Sequence, residues 1–430
     1  MEDKKLKKAM PKVVLIQAIL IGILYSCDVI FGFFEQNFFN TYLVHVLELP
    51  EIYVSIMVSL SATMGLIMNL VWGIFSDNTR SKYGRRRPYL LFGGIIAGIA
   101  MITFAFAPNY LWCLFLDVII IGIASNAYYV SERALVPDIV EPEYRGRANG
   151  IINAVGFIGL LIGIAAFLLA NELFAVPNPR GEGNIINQEG YLFILSIGGG
   201  AFIFGALIGF IFVKEKPVSE LPPKKGFFVE LKEIFDLEEF RKQNEFYRIT
   251  LALTIFRCGI SAIIPFLFIF IFSLGLTTLQ LLMVIVISFP ILIVITMILG
   301  KLADKYGRKK YIPASIIITS LGFVMIMFVK NGNEINFLLL YIFFPFILVG
   351  ILGLLTPMQA WAQDLLPEEK RGKFLGVLNI VFTVSQIIGA LAAGIIATIY
   401  GLQWIFVVAI IFFMISIPFF LRVKETLLIE

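Results

Sequence analysis

The chain has 430 residues, 59% of them hydrophobic and 15% charged, and its mean hydropathy is +0.92. That much apolar surface excludes a water-soluble domain, so an integral membrane protein is expected. Three isolated cysteines (Cys27, Cys113 and Cys258) and a lone histidine, His45, exclude a disulfide framework and a metal cluster, and no cofactor is expected.

The chain opens with a short basic arm, MEDKKLKKAMPK, followed by an apolar run from about Val13 to Val44. This run is far longer than the apolar region of a signal peptide, and LYSC (Leu24 to Cys27) puts a bulky tyrosine where lipoprotein cleavage needs a small residue, so it is read as a retained first helix. Further spans, each near the roughly 20 residues that cross a bilayer core, follow at 52–76, 88–107, 111–135, 147–171 and 191–213. Six more lie at 248–272, 278–303, 311–330, 337–361, 374–399 and 402–421. The expected fold is therefore all-α with twelve transmembrane helices: a six-helix bundle over 1–213, a linker over 214–247 and a second six-helix bundle over 248–430. In the linker, Phe227, Leu231, Ile234 and Phe235 recur at helical spacing among charges, which predicts an amphipathic helix on the membrane surface. The loop 176–190, rich in Gly, Pro and Asn, reads as exposed and without visible chemistry.

With the N-terminus inside, 30 of the 34 lysines and arginines fall in cytoplasmic segments, against Arg180 and Lys330 outside and Arg133 and Arg257 within helices. Both termini are expected in the cytoplasm, with the chain in the cell membrane. Nucleic acid is not an expected partner, and a monomer is.

The chain also repeats itself. GIFSDNTRSKYGRRRP (Gly73 to Pro88) returns as GKLADKYGRKKYIP (Gly300 to Pro313), with Asp77 and Asp304 separated by 227 positions. A second pair, PDIVEPEYRGRANG (Pro137 to Gly150) and AQDLLPEEKRGKFLG (Ala362 to Gly376), places its Arg-Gly dipeptides 226 positions apart. Each motif supplies a glycine, Gly84 or Gly307, for a short turn, and a basic pair, Arg85 and Arg86 or Arg308 and Lys309, to hold that turn at the interface. Asp77 and Asp304 are read as gate carboxylates that meet helix N-termini, near Gly372 for the first and near Gly146 for the second.

A parallel repeat of six-helix halves with Gly73, Asp77, Gly84, Gly300, Asp304 and Gly307 in these places resembles the major facilitator superfamily, which implies a transporter working by alternating access. The longer first copy, ending Arg-Arg-Arg-Pro, together with SERALVPDI and RANGIINAVG, resembles the glycoside–pentoside–hexuronide cation symporters and the related sucrose–proton symporters. The sucrose resemblance covers mainly the N-terminal half and implies roles for Arg133 and Asn126. Two departures stand out. Gly65 and Asn69 occupy the places of a helix 2 aspartate pair in melibiose-type members, and Gly122 that of a helix 4 aspartate in plant sucrose carriers.

Ionisable groups within a bilayer usually face a cavity or a partner. Here they are Asp28, Glu35, Asp117, Glu132, Arg133 and Arg257. Asp28 lies roughly 22 Å into helix 1 and Arg257 roughly 14 Å into helix 7, which points to opposite charges facing across a central cavity. Glu35 shares the face of Asp28 two turns on and is read as an outer-vestibule residue, as is Asp117. Arg133 is expected near the inner interface, snorkelling or paired with Glu132. Asn126, Tyr129, Gln359, Trp361, Asn379 and Gln386 complete the candidates, a mixture of aromatics and amides suited to a sugar. A proton carrier must change ionisation as the cavity switches sides, so it should lie near midplane and beside a cation; Asp28 is the first candidate and Glu35 the reserve. The leading expectation is proton-coupled uptake of a sugar or glycoside. An uncoupled facilitator, an exporter of amphipathic or lipid-like solutes, and a receptor or scaffold retaining the fold are the alternatives. No nucleophile–base pair or phosphate loop points to an enzyme.

Overall fold

The structure is a computed structural model that describes residues 10–178, 184–215, 217, 220, 224, 226–227, 244–331, 334–365 and 371–426. Within them lie twelve helices long and apolar enough to cross a membrane. In chain order these are α1 (Lys12–His45), α2 (Glu51–Asn78), α3 (Arg87–Phe104), α4 (Tyr110–Ile139), α5 (Arg145–Leu173) and α6 (Gln188–Phe212). The second set is α7 (Asn244–Ser273), α8 (Thr278–Tyr306), α9 (Arg308–Ile326), α10 (Phe337–Asp364), α11 (Arg371–Tyr400) and α12 (Leu402–Phe420). The chain is an all-helical multi-pass membrane protein.

Local chemistry sets the helix ends. Asn109 caps α4 by accepting from the Trp112 N–H at 3.2 Å, and Asn336 caps α10 by accepting from Leu339 at 3.1 Å. Thr277 and Gln280 form a reciprocal capping box at the start of α8. Pro88 sits in the first turn of α3, where its missing N–H removes no helical bond. Inside α7, Pro265 falls in a single 3-10 turn, Ile264–Phe266, because it cannot donate to the helical ladder. Both α4 and α10 contain a π-helical stretch, Phe115–Ile121 and Val349–Gly353.

Two loop expectations change. The span expected to reach position 330 ends at Ile326, and Lys330–Asn331 instead forms a strand, β3, paired antiparallel with β4 (Glu334–Ile335). The loop expected over 176–190 is flanked by the paired strands β1 (Ala175–Pro177) and β2 (Asn184–Ile186), which satisfy backbone groups that an irregular loop would leave to water. Of the predicted amphipathic linker helix, Phe227 is described and its ring lies 5.7 Å from Phe75; Leu231, Ile234 and Phe235 lie outside the described residues.

Contacts divide the chain into two units: Met1–Glu35, Ile67–Leu169 and Tyr191–Leu231 in one, and Gln36–Leu66, Ala170–Gly190 and Lys232–Glu430 in the other. In the first unit, α3 and α6 approach until backbones nearly touch. A Cβ added to Gly98 would stand 2.5 Å from the Gly199 carbonyl oxygen, a close approach of the kind small residues permit between membrane helices. In the second unit, the ends of α1 and α2 that lie away from the basic turns pack on helices of the other sequence half. The Ser55 hydroxyl donates to the Ala390 carbonyl at 2.7 Å, the Ile52 N–H donates to Thr398 Oγ1 at 3.0 Å, and the Phe38 and Phe268 rings lie 5.3 Å apart. Large apolar side chains such as Phe157 and Leu161 of α5 remain exposed, as a lipid-facing surface requires.

The α3–α6 contact generates a test. Gly98→Ala should lower the melting temperature in detergent, by an overpacking cost of about 1–3 kcal/mol. Gly200→Ala, where an added Cβ meets nothing within 4 Å, should leave it unchanged.

Candidate functional site

Two places carry the chemistry: the repeated basic turns, and the polar interior of the first unit. At the first turn Gly84 has φ +103, a conformation that favours glycine, and it releases the chain from α2 into α3. Arg86, 4% exposed, directs its guanidinium at three acceptors: Asp77, Asp138 (3.0 Å from Nε) and the Ser76 hydroxyl. Arg85 also pairs with Asp138 and lies 4.0 Å from Asp77. Asp77, whose expected partner is the helix start near Gly372, is thus engaged by the arginines of its own turn, with its carboxylate half-exposed. At the second turn Gly307 has φ +87, and Arg308, 6% exposed, pairs with Asp364 at 2.6 Å. The side chain of Asp304 lies outside the described residues.

The partners Asp138 and Asp364 are absent from the expected gate. Both occur in the second repeated segment, in Pro-Asp-Ile and Gln-Asp-Leu, so their recurrence was available as a signal. Their meaning depends on the last turns of α4 and α10 returning beside the first turns of α3 and α9, which spacing alone does not reveal.

In the interior of the first unit, Asp28 and Glu35 of α1 face α4. Tyr129 donates its hydroxyl proton towards Glu35 Oε2 at 3.4 Å, and Arg133 lies over the Tyr129 ring, 5.6 Å from its centroid. Asp28 is within electrostatic range of both Glu132 and Arg133, and Glu35 of both Asp117 and Asp28. Three expectations change here. Arg133 is not at a helix end paired only with its neighbour, because α4 continues to Ile139, roughly 9 Å further along its axis. The cation beside Asp28 is therefore Arg133, while Arg257 stacks on Phe382 of α11 at 3.9 Å in the second unit. Asp117 is buried, 4% exposed, in the π-helical stretch of α4, and does not line an open vestibule.

Asn126 is also committed internally. Its Oδ1 accepts from Asn69 Nδ2 at 2.8 Å and its own amide donates to the Gly122 carbonyl at 2.7 Å. Asn69 and Gly122 are two of the positions where the resembled symporters carry carboxylates, so a neutral amide chain stands in their place. Trp361 leaves the solute candidates: it is wholly buried, stacks on Phe420 and donates its indole N–H to the Lys424 carbonyl at 3.0 Å. Gln359 and Gln386 are exposed on α10 and α11, whereas the side chain of Asn379 lies outside the described residues. Among the described residues no group of His, Cys, Asp and Glu has a metal-binding arrangement. A separate cavity of 450 Å³, lined by Phe270, Ser273, Ile326, Lys330 and Gln403 among others, gathers none of these candidates.

The gate geometry ranks its carboxylates. Asp138→Asn leaves the guanidinium of Arg86 buried and underpaired and should cost about 3 kcal/mol of stability, read as melting temperature in detergent. Asp77→Asn, at a half-exposed pair, should cost at most about 1 kcal/mol.

The family model described as Major Facilitator Superfamily matches residues 19–353 and 286–428. The chain is 25% identical over 365 residues to the multi-drug resistance efflux pump PmrA of Streptococcus pneumoniae, covering 82% of each. Its similarity to a sucrose transport protein of Arabidopsis thaliana is 28% over 172 residues, 34% of this chain and 29% of that one. The resemblance to sucrose carriers is therefore partial, while that to drug efflux pumps runs nearly the full length. The solved structure of a bacterial homolog to the human lysosomal transporter Spinster, in an inward-facing conformation, superposes with a TM-score of 0.67 at 14% identity, covering 98% of this chain and 97% of that one. With its twelve spans, duplicated basic turns and family match over most of its length, the chain belongs to the Major Facilitator Superfamily.

Proposed function

We propose that this secondary transporter, built of two six-helix halves, 1–213 and 248–430, exports amphipathic solutes in exchange for protons by alternating access. One observation carries the reading: among the described residues, the carboxylates of Asp28, Glu35 and Glu132 gather between α1 and α4 around the guanidinium of Arg133. Ionised together, these three carry more negative charge than one guanidinium offsets, so the balance calls for protons or a cationic solute. A group that takes up protons on one side and solute on the other is what antiport requires. The near full-length similarity to a drug efflux pump supports the same direction. Tyr25 and Tyr129 beside these carboxylates provide aromatic faces for an amphipathic solute. Asp28 and Glu35 are the exchange carboxylates in this reading, with Arg133 as the neighbouring competing cation.

Uptake of a sugar with protons is the second reading, favoured by the partial similarity to sucrose transport proteins. The two are separated in proteoliposomes by imposing a proton gradient and following ethidium in one arm and a sugar panel in the other. Proton-driven ethidium movement without sugar accumulation supports export, and sugar accumulation without ethidium movement rejects it. Asp28→Asn and Glu35→Gln should each abolish gradient-driven accumulation while retaining solute exchange, which needs no net proton movement. The basic turns are placed on the cytoplasmic side of the cell membrane, with both termini. A tag on either terminus should accordingly be reached only from the cytoplasm, and labelling from outside would refute that orientation.

A further inference from the structure

Two tripeptides just beyond the apolar spans are identical: Val213-Lys214-Glu215 follows α6 and Val423-Lys424-Glu425 follows α12. They are also used alike. Val213 and Val423 are buried at 1% and 0% exposure, both lysines are exposed and both glutamates are half-buried. The Lys214 N–H donates to Gln17 Oε1 of α1 at 3.1 Å, and the Lys424 N–H donates to Glu245 Oε2 of α7 at 2.7 Å. Glu215 accepts from the backbone N–H groups of Arg85 at 2.8 Å, Arg86 at 3.0 Å and Arg87 at 2.8 Å. Glu425 accepts from the backbone N–H of Lys309 at 2.8 Å. Each tripeptide thus ties the first helix of a half to the entry of its third.

We propose that Glu215 and Glu425 are positioning residues of the transport cycle, two clasps that hold the first turns of α3 and α9 so that Arg86 and Arg308 reach their gate carboxylates. The first turn of a helix has N–H groups without helical partners and favours an anion, and a charged acceptor binds them more firmly than a neutral one. Arg86 is gripped at both ends: its backbone N–H by Glu215, its guanidinium by Asp77 and Asp138. Gly84 is part of the fit, since a Cβ there would lie 2.5 Å from Glu215 Oε1. In the second half the clasp reaches the gate directly. The Thr426 hydroxyl donates to Asp364 Oδ2 at 3.4 Å, and Trp361 donates to the Lys424 carbonyl at 3.0 Å. The lysine side chains take no part; their backbone N–H groups do.

This inference concerns the gate of any alternating-access carrier, so its test needs no solute and is independent of the export reading. In a background with Cys27, Cys113 and Cys258 replaced by serine, amide hydrogen exchange is measured together with the distance distribution between spin labels at the exposed positions Lys82 and Lys310. Glu215→Ala should speed exchange at 85–87, and Glu425→Ala at 309, by about tenfold or more. Each should also change the ratio of the long-distance to the short-distance population by about threefold or more. Glu215→Gln, which keeps an acceptor but loses the charge, should move both readouts the same way by a smaller factor, and it supplies the reading if the alanine variant does not fold. Lys214→Ala and Lys424→Ala should change neither. Faster exchange with an unaltered distance distribution would reduce Glu215 to a helix cap and overturn the positioning role. Unaltered exchange would remove the clasp itself.

Discussion

A guanidinium withdrawn from water has to be surrounded by acceptors, and the basic end of this transporter is built around that requirement. Arg86 and Arg308 are almost wholly buried, and each can occupy its place only because the last turn of a neighbouring helix delivers an aspartate, Asp138 or Asp364. The glycines at 84 and 307 exist to bring the chain round sharply enough for this, since their positive φ is strained for any residue with a Cβ. Charge, turn geometry and helix ends therefore specify one another, twice in the same chain.

The interior of the first unit answers the same physics differently. At the gate each buried guanidinium is paired with aspartate, Arg86 with Asp77 and Asp138 and Arg308 with Asp364, whereas Asp28, Glu35 and Glu132 gather around the guanidinium of Arg133. A structure that needed only stability would have balanced them or replaced them with apolar residues of similar volume. Keeping an excess makes the site responsive to what enters it. Beside it, Asn69, Asn126 and the Gly122 carbonyl bond to one another without charge.

Packing within the helices supports these charges from outside the sites. The backbone contact of α3 with α6 through Gly98 and Gly199 fixes the helix that begins at Arg87, and the hydroxyl bonds of Ser55 and Thr398 tie α2 to α11 at the end away from the basic turns. Among membrane helices, where lipid is as apolar as a side chain, such close approach and polar bonding replace hydrophobic burial as the force that selects partners.

Twelve spans and a duplicated plan were determined by the sequence alone, because span length and hydropathy are properties of a line of residues and a repeat is read by its offset. The turns at Gly84 and Gly307 were legible for the same reason, being short-range features. Partnership was not. Asp138 and Asp364 stand about 50 positions from the arginines they meet, and although both recur in the second repeated segment, nothing along the chain says which cation they face. Arg133 was placed too near a helix end because its depth depends on where α4 stops, and Trp361 and Asn126 were taken for solute contacts because an unpaired indole or amide looks the same in sequence as one already bonded. Only the tertiary structure decided which polar groups had spent their hydrogen bonds internally and which had not, since in a low-dielectric interior that is settled by neighbours from other helices.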